Sequence, residues 1–159
     1  MKSKRGFTSI SKVCQRGFTL IELLVVIFII GILAGVILPN FVSSRERARD
    51  ARRKGDLSQI KNALGIYYND NQSYPATGDV PFGAPFNDGA TIYMQQVPND
   101  PLAPDQSYEY CAPADGDSFR LCASLENEGD SEAGESLLRC PVTMCALACT
   151  DNCYYICGN

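Results

Sequence analysis

Residues 16–39 read RGFTLIELLVVIFIIGILAGVILP, an almost unbroken apolar run with a single acid, Glu22, near its start. From Phe18 to Leu38 the run covers twenty-one residues. As a helix rising about 1.5 Å per residue it is roughly 31 Å long, close to the hydrocarbon thickness of a bilayer. A secretory signal peptide has a shorter apolar core, about 7–15 residues, with a small-residue cleavage site behind it. Here FVSSRERARDARRKGDLSQIKNALGIYY follows the run and reads as continued helix. No Cys stands close behind it, so a lipoprotein start has no support.

Glu22 is the anomaly. A plain membrane anchor has no use for it, since an unpaired carboxylate costs about 2.5–3.5 kcal/mol at mid-bilayer and less near the edge. The nearest cation in the chain is Arg16. If the chain is cut after Gly17, a new amino group appears on Phe18, four residues from Glu22. An earlier RGFT, at residues 5–8, has Ser11 where the acid would stand and no apolar run behind it. It reads as a decoy or an accident of the leader.

Charge is divided unevenly. Residues 1–17 hold five basic side chains and no acid, whereas residues 18–159 hold nine basic and eighteen acidic ones. Beyond Lys61 only Arg120 and Arg139 are basic, against fourteen acids. Phosphate contacts need clustered Lys and Arg, so this outer part is not expected to bind nucleic acid. The chain has no His, which removes the usual neutral-pH general base. No Ser–His–Asp set, phosphate loop or metalloprotease motif is present, and no enzyme is expected.

The segment RGFTLIELLVVIFIIGILAGVILPNF resembles the processing signal of type IV prepilins and type II secretion pseudopilins. The match includes a short basic leader ending in Gly17, then Phe18, Glu22 at the fifth mature position, the apolar helix, and Pro39 at the twenty-second. The resemblance implies cleavage between Gly17 and Phe18 by a membrane-embedded prepilin peptidase, which also methylates the Phe18 amine. It implies that Glu22 meets the Phe18 amine of a neighbouring subunit during assembly. It also favours a kink at Pro39 over a stop. Gly31 and Gly35 form a G-x-x-x-G pair, read either as close helix packing or local loosening, or as ordinary membrane-helix glycines.

Beyond Pro39, Leu57, Ile60, Leu64 and Tyr67 form a helical stripe that predicts packing under a globular head. The run between is basic: Arg45, Arg47, Arg49, Arg52, Arg53 and Lys54 against Glu46 and Asp50. It reads as a solvated or headgroup-anchored surface, or as a docking face for the acidic heads of neighbours. NDNQSYPATGD ends the helix. SYEYC and SFRLCASL are strand-like and are separated by the turn signal APADGD, with Cys111 and Cys122 at matching places. That arrangement points to a cross-strand disulfide.

DLSQIKNALGIYYNDNQSYP, PNDP and SYEY resemble the major pseudopilin of type II secretion more than a long type IV pilin. Such pseudopilins commonly carry SLGADG and then a calcium-binding loop. This chain departs from that pattern with SLENEGDSEAGE. Glu126, Glu128 and Asp130 offer oxygen ligands suited to calcium, or form a solvated acidic loop; no other cofactor is expected.

The tail, CPVTMCALACTDNCYYICGN, follows no transferable pattern. Cys145, Cys149, Cys153 and Cys157 recur every four residues, which is one face if the tail is helical. With Cys140, Cys111 and Cys122 they make seven cysteines after the cut. Disulfides, a Cys-only metal site and intersubunit cross-links compete, with an external location favouring disulfides and the odd count leaving one thiol over.

The sequence therefore predicts an α+β fold: a long N-terminal helix, first membrane-spanning and then amphipathic, on a small antiparallel-sheet head with a disulfide-rich tail. Its expected divisions are a leader at 1–17, a filament-core helix at 18–39, an amphipathic continuation at 40–69, a head at 70–139 and a cysteine-rich tail at 140–159. What the resemblance implies is a filament subunit, held in the inner membrane with its head outside the cytoplasm. Its partners would be its own copies, minor pilins or pseudopilins, the prepilin peptidase, and an inner-membrane assembly platform with its ATPase. The competing reading is a membrane-tethered binding module whose cysteine-rich tail is the active part.

Overall fold

The computed structural model describes residues 17–140, 145, 147, 149 and 152–158, without the side chains of residues 36–40. The first RGFT, Arg16 and the side chain of Pro39 lie outside this description. The chain divides into two compact units, Met1–Asn40 and Phe41–Asn159. Helix α1 runs unbroken from Leu20 to Asn71, so Pro39 does not stop it. Among the described residues no helix is long and apolar enough to cross a membrane. The apolar run in the sequence continues to Leu38, into residues whose side chains are not described.

In the second unit the fold is α+β. Hairpin strands β1 (Phe86–Asn87) and β2 (Ile92–Met94) pair antiparallel. Strands β3 (Glu109–Cys111), β4 (Phe119–Ser124) and β5 (Cys153–Gly158) form an antiparallel sheet with β4 central. Between β4 and β5 lies helix α2 (Ser131–Arg139), whose N-cap Asp130 accepts the Glu132 N–H. The apolar stripe of α1 does what its period dictates. Leu57, Ile60 and Leu64 are fully buried with Phe119, Leu121 and Ala123 of β4, and Tyr67 packs against that core. Truncating such a buried Leu to Ala costs about 2–5 kcal/mol.

β5 is a strand, not part of a helical tail. Tyr154, Tyr155 and Ile156 are strand-favouring residues, and pairing with β4 aligns Leu121 with Ile156 and Cys122 with Tyr155. Its outer edge is covered by α2: the Tyr155 N–H donates to the buried Ser136 hydroxyl at 2.9 Å. An uncovered edge would template pairing with another chain.

Candidate processing and assembly site

Gly17, Phe18 and Thr19 precede α1 in non-helical backbone, and all three are exposed, Phe18 at 82%. Thr19 and Glu22 then form a capping box. The Thr19 N–H and hydroxyl donate to Glu22 Oε2 at 2.8 and 2.6 Å, and the Glu22 N–H returns to Thr19 Oγ1 at 3.3 Å. The signal for this is the T-x-x-E spacing of Thr19 and Glu22, a capping-box pattern that a reading of Glu22 as a charge alone does not reveal. The Glu22 carboxylate is thus held by Thr19 of its own chain.

Behind the cap, Leu20, Ile21, Leu23, Leu24, Val25, Ile27 and the large apolar side chains up to Leu33 are all exposed. A helix apolar all round needs an apolar surrounding. A Cβ built at Gly31 or Gly35 meets nothing within 4 Å, so no contact among the described residues requires either glycine.

The basic segment divides its labour in a way neither sequence reading foresaw. Arg53 is fully buried in its own head. Its guanidinium donates to Asp100 Oδ2 at 2.7 Å, Asp100 Oδ1 at 3.1 Å, Asp50 Oδ1 at 2.7 Å, Glu126 Oε1 at 2.7 Å and Gln106 Oε1 at 2.9 Å. Arg49 grips Glu126 as well, and Lys54 reaches Asp130 at 2.7 Å and Glu132 at 2.9 Å. Arg45, Arg47 and Arg52 remain exposed.

This arrangement engages two of the three acids that the sequence offers to calcium. Glu126 and Asp130 are engaged by side-chain cations, and Glu128 is exposed. Among the described residues no group of three or more His, Cys, Asp or Glu is placed to hold a metal ion.

The cross-strand disulfide between Cys111 and Cys122 is corrected. The register sets Cys111 opposite Arg120 and Cys122 opposite Glu109, so the two cysteines sit diagonally. The bonds are Cys111–Cys145, Cys140–Cys157 and Cys149–Cys153, and Cys122 is a buried free thiol. Burial pushes that thiol up to about 12. Cys140–Cys157 ties the end of α2 to β5, and Cys111–Cys145 ties β3 to the tail. With Cys111, Cys145 and four further tail cysteines in disulfides, only Cys122 is left among the described residues, too few for a Cys-only metal tetrad.

A capped apolar helix behind an accessible Gly17–Phe18 bond, leading into an α+β head, defines a pilin-like protein, and the prokaryotic N-terminal methylation motif matches residues 12–38. The type II secretion system protein G family matches residues 40–136. Among relatives, the type II secretion system core protein G of Vibrio cholerae serotype O1 is 32% identical over 134 residues, covering 76% of this chain and 89% of its own. That of Klebsiella pneumoniae is 34% identical over 134 residues, with 77% and 92% covered. That of Pseudomonas aeruginosa is 37% identical over 116 residues, with 67% and 80% covered. No solved structure gives a significant match. The chain belongs to the type II secretion system protein G family, the pseudopilins.

Proposed function

We propose that this chain is a structural subunit of a type II secretion pseudopilus. The observation that carries the reading is the Gly17–Phe18 bond, exposed and non-helical immediately before a capped helix whose large apolar side chains between Leu20 and Leu33 are all exposed. Such a bond is open to a peptidase, and such a helix needs a bilayer first and neighbouring helices later. In this reading the prepilin peptidase cuts between Gly17 and Phe18 and methylates the Phe18 amine. The helix rests in the inner membrane with the head on the periplasmic side, then bundles with its own copies and minor pseudopilins as an assembly platform and its ATPase drive extraction. Glu22 pairs with the incoming Phe18 amine. The role is structural, not catalytic.

Intact-mass analysis of membrane-extracted protein tests this. The expected mass lacks residues 1–17 and carries one added methyl group on Phe18. An uncut chain, or an N-terminus near Gly35, overturns it.

A further inference from the structure

The stretch between β4 and α2 stands where the resembling pseudopilins carry a calcium loop, and its chemistry here does not fit one. A calcium ion takes about 6–8 oxygen ligands, carboxylate and carbonyl together. In this chain the Glu126 and Asp130 carboxylates and two carbonyls of the stretch already have donors. Glu126 Oε1 accepts from Arg49 Nε at 2.6 Å and Arg53 Nη1 at 2.7 Å, and its Oε2 accepts from Arg49 Nη2. Asp130 Oδ2 accepts from Lys54 at 2.7 Å, and Oδ1 accepts the Glu132 N–H at 3.0 Å. The Leu125 and Asn127 carbonyls accept from the Asn152 amide at 3.1 and 2.8 Å. Asp50, bound to Arg53, accepts the Glu126 and Asn127 N–H groups at 3.0 and 2.9 Å. A divalent ion here would meet three positive side chains at close range, in a partly buried setting where charge is weakly screened.

We propose that α1 supplies, as Arg49, Arg53 and Lys54, the positive charge that closes the Leu125–Asp130 loop onto the head, and that this chain's head is built to hold that loop without calcium. The clamp is internal. Its cations come from the helix that also carries the core stripe, so the loop is locked as soon as the head packs on α1. Asn152, at the entry to β5, joins the tail to the same lock.

The test uses the full processed chain in detergent micelles. Thermal unfolding is followed by circular dichroism with calcium and with EDTA, and calcium binding is measured by titration calorimetry. The melting temperature is expected to be the same in both buffers, with no saturable calcium isotherm. The double variant Arg49→Gln/Lys54→Gln is expected to melt several degrees lower in both buffers. Arg53 is left in place there so that no buried carboxylate pair loses its partner. A wild-type melting temperature that falls in EDTA and returns with calcium overturns the proposal. So does a saturable calcium isotherm that Glu126→Gln abolishes, or a double variant as stable as wild type. Should the double variant not fold, the wild-type isotherm decides alone. The mass of the processed N-terminus reports on the pseudopilus reading separately.

Discussion

Arg53 of α1 and Asp100 of the loop between β2 and β3 meet through two parallel hydrogen bonds, Nε to Oδ2 at 2.7 Å and Nη2 to Oδ1 at 3.1 Å, with neither side chain open to solvent. The planar guanidinium can do this while its remaining N–H groups reach Asp50, Glu126 and Gln106. One side chain thereby joins the helix to two loops of the head. Replacing it removes the partner of buried carboxylates, which costs about 3–5 kcal/mol for a buried pair. Arg53→Ala is expected to lose that much in denaturant unfolding of the full chain. Arg53→Lys should lose most of it too, because an ammonium cannot make the fork. A lysine variant of wild-type stability would show that charge alone, not the fork, holds the loops.

The same cluster sets an acid limit. Hydrogen bonds from Arg49 and then Arg53 hold the Glu126 carboxyl down at about 2, below its ordinary 4.5. A depressed carboxylate pKa adds stability that is fully present above the unfolded value and is lost as pH falls through the folded one. Stability should therefore decline between about pH 4.5 and pH 2. Glu126→Gln should be less stable than wild type at neutral pH, and the gap should close across that window. Melting temperatures of both proteins against pH provide the check; a constant gap would remove Glu126 from the acid response.

Arg53 was legible in the sequence, though by a different rule from the one applied to it. Leu57, Ile60 and Leu64 are spaced by three and four, and stepping back four from Leu57 lands on Arg53 and three more on Asp50. Both belong to the core-facing stripe. Treating the six cations as one charged surface hid this, since composition ignores helical phase. The α+β class, the long helix and the paired strands β3 and β4 followed from periodicity and the APADGD turn. β5 did not, because the four-residue cysteine spacing left a helical face open while the local CYYIC composition favours a strand. Nor did the disulfide partners, which depend on register: a two-residue difference in pairing separates a directly opposed cross-strand couple from the diagonal Cys111 and Cys122.

Cys122 gives a chemical count that checks the pairing. The processed chain should contain one free thiol, since its other six cysteines form three disulfides. The thiolate is the reactive form, and burial keeps Cys122 protonated. A thiol reagent at pH 8 should therefore label nothing in the folded protein and one group per chain in guanidinium without reductant. Cys122→Ser should abolish that label. Two or more labelled groups in oxidised, processed protein would rule out the three-disulfide arrangement.

The last prediction separates two roles of Glu22. In its own chain the carboxylate accepts both Thr19 donors and caps α1. In the proposed filament it meets the Phe18 amine of a neighbour. Losing a capping side chain costs about 0.5–2 kcal/mol and frays only the first turn. Losing the only carboxylate that can pair the incoming amine removes the reason for the helix to leave the bilayer in register. Glu22→Ala should insert into membranes at least as well as wild type, because an apolar helix no longer carries an acid costing a few kcal/mol when unpaired. It should still be cut, since Gly17 rather than Glu22 lies at the bond. It should not enter filaments efficiently. Thr19→Val removes the hydroxyl donor yet keeps the carboxylate, so it should lower the filament yield far less. Shearing filaments from cells expressing each variant and blotting filament and membrane fractions makes the comparison. Glu22→Ala in the filament fraction at wild-type level would defeat the pairing mechanism, and equal defects in the two variants would reduce Glu22 to a helix cap.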